Sequence, residues 1–184
     1  YSYYRNETIS DIYLFKCGII LSQNILKNKT SPIDLGVYIK SFLLLMKPRV
    51  MSLVLFTAMV GLLVAPITIS FTKACLSLLA VAIGSGAAGA LNMWYESDVD
   101  AIMSRTCLRP IPTGKIKREQ ALWFGIVLSL ISILMLYLSS NLISTFLLAG
   151  TIGFYFFIYT IWLKRKTAQN IVIGGASGAL PPLI

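Results

Sequence analysis

The chain has 184 residues, of which 57% are apolar and only 12% charged, with a net charge of +9 and no histidine. These proportions exclude an ordinary soluble domain and indicate a polytopic membrane protein. Without histidine this stretch offers no imidazole base and no imidazole ligand to haem iron. The positive charge does not signal a nucleic-acid partner, because the basic residues sit in short clusters flanking apolar runs rather than in a stripe that tracks phosphates.

The chain begins with Tyr1 and stops at Ile184 inside an apolar run, so it is expected to be a piece of a longer protein. Residues 1–46 read as a cytoplasmic or interfacial leader. Its apolar stretch Ile12–Ser22 is broken by Lys16 and too short to span a bilayer. Residues 47–184 read as the N-terminal half of a transmembrane domain, an all-α helix bundle with about four complete spans and the start of a fifth. Val50–Thr72 carries no charge and has Pro66 near its far end. Ala74–Tyr95 is a second uncharged run, and its stretch Gly84-Ser-Gly86-Ala-Ala-Gly89 allows close helix approach. Gln120–Leu163 is uncharged over about twice the roughly 20 residues one span needs, and Ser139-Ser140-Asn141 divides it in two. A fifth run begins near Ala168.

Alternate loops are basic. Lys40, Lys47 and Arg49 precede the first span; Arg105, Arg109, Lys115, Lys117 and Arg118 follow the second; Lys164, Arg165 and Lys166 follow the fourth. The intervening loops hold Lys73 and no basic residue, respectively. By the positive-inside rule, the loop after the second span faces the cytoplasm or the matrix. The three cysteines, Cys17, Cys75 and Cys107, have neither metal-like nor disulfide-like spacing and read as incidental thiols.

That loop also holds the chemistry. Glu96, Asp98 and Asp100 are three of the four carboxylates after Asp34, and carboxylates at a bilayer boundary usually mark function. If the second helix continues, Asn92, Glu96 and Asp100 fall at i, i+4 and i+8 on one face. Mg²⁺ favours oxygen ligands and is commonly held by one or two carboxylates plus substrate phosphates. Arg105 and Arg109 offer forked donors to phosphate, and Lys115 a point charge. Asp98 lies off the shared face and would either bind through a second metal or pair with an arginine. The plainer reading of the same residues is a loop whose carboxylates pair with their own arginines.

The order of residues narrows the choice. Asn92-Met-Trp-Tyr-Glu-Ser-Asp-Val-Asp100 followed by Arg105-Thr-Cys-Leu-Arg109-Pro-Ile-Pro-Thr-Gly114 closely resembles the first aspartate-rich motif of the UbiA-type intramembrane prenyltransferases. The match holds at Asn92, Asp100, Arg105, Thr106, Arg109, Pro110, Pro112 and Gly114, while Glu96 stands where the family usually has Asp. A second segment, Leu163-Lys-Arg-Lys-Thr-Ala-Gln-Asn170 with Ile173-Gly-Gly and Gly178-Ala-Leu-Pro-Pro182, is similar to the corresponding region of the protoheme IX farnesyltransferases (haem O synthases) within that superfamily. Lys47-Pro48-Arg49-Val50 also agrees, so the resemblance covers roughly Lys47 to the end.

The resemblance implies Mg²⁺ as cofactor, farnesyl diphosphate as donor and haem B as acceptor, with haem O as product and a haem A synthase downstream. Asn92, Glu96 and Asp100 would be the catalytic metal–diphosphate ligands, and Asp98 a further metal candidate. Arg105, Arg109, Lys115, Lys164 and Arg165 would contact the diphosphate. The family carries a second acidic motif in a later half, which residues 1–184 lack. The bilayer implied is a bacterial inner membrane rather than a mitochondrial one, since Glu7, Asp11 and Asp34 make a poor transit peptide. Two rival readings remain. One is a UbiA-type transferase acting on an aromatic or quinone precursor, which the segment Gln169–Pro182 opposes. The other is a non-enzymatic transporter or assembly subunit with a cation-binding loop, which leaves Arg-Thr-x-x-Arg-Pro-x-Pro-x-Gly unexplained.

Overall fold

In a computed structural model, residues 35–66, 69–163 and 170–184 are described, together with Gly18. Every regular element among them is helical. In order they are α1 (Leu35–Leu45), α2 (Pro48–Val64), α3 (Phe71–Tyr95), α4 (Ser97–Ile102), α5 (Arg118–Ser139), α6 (Leu142–Gly153), a π-helix (Phe154–Leu163), α7 (Asn170–Ala179) and a terminal 3₁₀ turn (Pro181–Leu183).

Three of these stretches are long and apolar enough to cross a membrane: α3, α5, and the run of α6 into the π-helix, Leu142–Leu163. Taken as one broken span, α1 and α2 make a fourth. The protein is therefore a multi-pass membrane protein. Among the described residues α7 covers ten, against the roughly 20 of a complete span.

The first span departs from the sequence expectation. Its uncharged run reaches Thr72, but α2 stops at Val64 and the following Ala65 is extended (φ −59°, ψ 131°). The cause is Pro66, whose ring disfavours helical geometry at the residue before it. At the other end Pro48 takes the first helical position, where its missing N–H is no loss. The break before it is Lys47, at φ 53° and ψ 66° the one non-glycine residue with positive φ among those described. Between the third and fourth spans the expected division is seen: Asn141 is extended, and its side chain accepts from the Ser144 N–H at 2.8 Å to cap α6.

Close packing divides the chain into two units, one of Tyr1–Leu45 with Met93–Ala121 and one of Met46–Asn92 with Leu122–Ile184. In the second unit Ala80, Leu136, Leu148 and Ile152 form a buried cluster. More than half of the apolar window of α3 is buried (56%), against 22% for α5, so α3 is the inner helix. Small residues make that possible. A Cβ at Gly84 would lie 3.1 Å from Leu148 Cδ1, and one at Gly125 would lie 2.7 Å from Leu91 Cγ. The outward face of α5 is apolar and exposed at Leu130, Leu134 and Leu138, the i, i+4, i+8 stripe a helix turns toward lipid.

Candidate active site

The carboxylates lie where regular helix fails. After α3 ends at Tyr95, Glu96 takes φ −90° and ψ 2° before α4 resumes at Ser97. This is the sparsely populated bridge region, where many active-site residues sit. The helix does not run unbroken from Asn92 to Asp100, so the condition for one continuous helical face is not met. One-turn spacing survives, because the Asp100 N–H donates to the Glu96 carbonyl at 2.8 Å. Glu96 and Asp100 are buried, while Asp98 and Val99 between them are exposed.

Residues 103–117 have no long helix, yet they are closely tied. Arg109 donates from Nη1 to Asp100 Oδ2 at 2.6 Å, with the Asp100 side chain nearly buried. Thr106 Oγ1 donates to the Asp100 carbonyl at 3.2 Å, and Thr113 Oγ1 to the Arg109 carbonyl at 2.9 Å. The N–H groups of Lys115 and Ile116 both reach the Pro110 carbonyl. Gly114 closes the turn at φ +72°, a conformation glycine adopts without a Cβ penalty. Thus Thr106, Thr113, Pro110 and Gly114 build the frame around the Asp100–Arg109 pair. Of the other cations in the segment, Arg105 and Lys115 are exposed. Arg118 at the start of α5 lies 5.4 Å from the Trp94 ring centroid, a cation–π contact. Lys164 and Arg165 fall outside the described residues. Cys107 is buried, whereas Cys75 is free and exposed.

Asn92 belongs to a different set of contacts. It is fully buried on α3; its Oδ1 accepts from Lys47 Nζ at 2.5 Å and its Nδ2 donates to Thr160 Oγ1 at 3.2 Å. Thr160, equally buried, donates in turn to the Tyr155 carbonyl at 2.8 Å within the π-helix. This relay ties the start of α2, the end of α3 and the π-helix together. Neither Lys47 nor Thr160 was singled out as a site residue from sequence. The pairings span 45 and 68 residues, and only the basic residue beside Pro48 hinted at either.

Beside this relay is a cavity of about 320 Å³. Val50, Leu53 and Val54 of α2 line it, as do Val81, Gly84 and Ala88 of α3, Leu148 and Ile152 of α6, and Gly178 of α7. Among the described residues of its lining, Lys47 is the charged one and Tyr155 the aromatic one. The glycines of α7 differ in role. A Cβ at Gly174 would come within 2.5 Å of the Tyr159 ring, so Gly174 is there for packing, whereas a Cβ at Gly178 meets nothing.

Among the described residues no three acidic, cysteine or histidine side chains converge as a metal cage, and no buried side-chain N or O lacks a hydrogen-bond partner. The donor chemistry nevertheless fits a hard cation. Two of the candidate ligands each hold a positive group of the protein, Lys47 on the Asn92 oxygen and Arg109 on the Asp100 carboxylate. The Asp100–Arg109 pair also satisfies the plainer reading of a self-paired loop. A site completed by substrate phosphates is the form Mg²⁺ prefers over an all-protein cage.

Comparison with known proteins adds the context. The profile of the UbiA prenyltransferase family matches residues 54–184. The chain is similar to the protoheme IX farnesyltransferase of Pelagibacter ubique, 66% identical over 140 residues, which is 76% of this chain and 46% of that protein. It is 58% identical to protoheme IX farnesyltransferase 2 of Mesorhizobium japonicum over 78% of this chain and 46% of the relative. With the Bartonella quintana protein of the same description it shares 56% over 85% of this chain and 50% of the relative. The chain thus spans about half the length of these relatives. No solved structure matches it.

Proposed function

The chain belongs to the UbiA prenyltransferase family, and we propose that it serves the transfer of the farnesyl group of farnesyl diphosphate to a vinyl group of haem B, giving haem O. The carrying observation is its 56–66% identity with relatives described as protoheme IX farnesyltransferases. The apolar cavity supports this reading. Its volume is in the range of small-molecule sites, its walls suit an isoprenoid chain, and Lys47 supplies a cation where a diphosphate head would sit.

Asn92, Glu96 and Asp100 are proposed to hold Mg²⁺ with the diphosphate, Asp98 being a further candidate, and Arg105, Arg109 and Lys115 to contact the phosphates. A bound divalent cation would neutralise charge on the diphosphate as the allylic C–O bond breaks. The arginines add fixed positive charge to the same end. The cavity walls keep bulk water from the allylic cation until a haem vinyl carbon attacks it, after which water provides the hydroxyl of the product. The acidic segment is assigned to the cytoplasmic face of a bacterial inner membrane, with haem O passed to a haem A synthase.

The test uses full-length protein in detergent with Mg²⁺ and farnesyl diphosphate, given either haem B or an aromatic acid as acceptor. Hydroxyfarnesylated haem detected by mass spectrometry, and lost with EDTA, is the expected result. Prenylation of the aromatic acid alone would retain the family and overturn the acceptor.

A further inference from the structure

We propose that Thr160 is a positioning residue: through the π-helix it fixes which end of the Asn92 amide is offered to a cation. The two ends of an asparagine amide are alike in shape and opposite in chemistry, one an acceptor and the other a double donor. A ligand to a metal must present the oxygen. The Thr160 hydroxyl has a single proton, and that proton goes to the Tyr155 carbonyl at 2.8 Å, five residues back. Such a reach matches the i to i+5 repeat of a π-helix, a form that appears mostly as single turns and often at functional sites. With its proton committed, Thr160 Oγ1 can only accept, so it takes the Asn92 Nδ2 end.

The other end is then left for positive charge, and Lys47 Nζ occupies it. A flipped Asn92 would set its NH₂ against the Lys47 ammonium, and its oxygen would gain a proton from Thr160 only at the expense of the Tyr155 carbonyl bond. Both Asn92 and Thr160 are 0% exposed, so no bulk solvent repairs either mismatch. The ten-residue π-helix therefore acts on Asn92 through one hydroxyl. This inference rests on Asn92 being a metal–diphosphate ligand, as proposed above.

The test measures binding rather than turnover. Full-length protein is titrated with Mn²⁺ in the presence of inorganic pyrophosphate, and free Mn²⁺ is read by electron paramagnetic resonance. Thr160→Val keeps the shape but removes the acceptor, and is expected to weaken Mn²⁺ binding by roughly tenfold or more. Thr160→Ser keeps the hydroxyl and is expected to stay within about twofold of the native protein. In an Asn92→Ala background the two variants should bind alike, because the residue through which they act is gone. If Thr160→Val does not fold, Thr160→Ala, which leaves a small void instead of a methyl, takes its place. Equal losses in the Val and Ser variants would overturn the proposal. So would a full additional loss on top of Asn92→Ala, or no Mn²⁺ binding by the native protein. Haem plays no part in this readout, so failure of the farnesyl-transfer reading alone would appear in the acceptor assay and not here.

Discussion

The acidic segment and the helices around the cavity are ordered by opposite means. Between Met103 and Lys117 there is little regular helix, and shape comes from turns, threonine hydroxyls on carbonyls, and the Asp100–Arg109 ion pair. Around the cavity, by contrast, order comes from long helices brought close by small residues, with the Lys47–Asn92–Thr160 relay as a polar element among apolar contacts. A hydrogen-bonded loop is sensitive to the loss of single atoms and of a permitted φ. A close-packed bundle is sensitive to added volume. The charged side chains are thus held where individual bonds set the geometry, and the apolar cavity where volume does.

Single substitutions test that contrast. The largest effect is expected from Asp100→Ala, which removes a proposed metal ligand and leaves Arg109 without its carboxylate. Farnesyl transfer by the full-length protein should fall by roughly a hundredfold or more, with membrane insertion unchanged; undiminished turnover would break the assignment. Next, Gly125→Leu forces a side chain against Leu91, an overpacking that should cost about 1–3 kcal/mol. A lower unfolding midpoint in detergent would report it, while proteolysis of residues 103–117 should not change. Gly114→Ala should do the reverse. Nothing crowds that site, so its cost of about 1 kcal/mol comes from φ +72° alone. Protease cleavage within the loop should quicken with little movement of the global midpoint. If Gly125→Leu and Gly114→Ala shifted both readouts together, the two regions would not be energetically distinct.

Much of the helical layout was legible in the residues, because lipid and helix ends impose local rules. The uncharged runs, the division at Ser139–Asn141 and the small residues of α3 all report physics confined to one segment. Where the reading failed, the cause was also physical. Absence of charge continued to Thr72, but a run without charge does not mark where backbone hydrogen bonding stops, and Pro66 did. Whether the helix continues from Asn92 to Asp100 is left open by the residues, and it is interrupted at Glu96, which their helix-compatible composition does not betray. Apolar patterning also cannot foresee a π-helix, since Phe154–Leu163 is apolar enough to suit an α-helix equally well. Within the candidate site, Asp100 and Arg109 are nine residues apart and were visible as a pair of opposite charges. Lys47 and Thr160 reach Asn92 across 45 and 68 residues, and no local spacing encodes such a contact.

The measurement that tests the account most directly is photo-crosslinking of the full-length protein with a farnesyl diphosphate analogue carrying a diazirine on its isoprenoid chain. Label is expected on peptides holding residues 50–57, 81–89 and 178–184, which line the cavity, and excess farnesyl diphosphate should suppress it. Label that instead falls on the outward stripe of Leu130, Leu134 and Leu138 and resists competition would contradict the account, because the chain would then be held by lipid and not by the cavity.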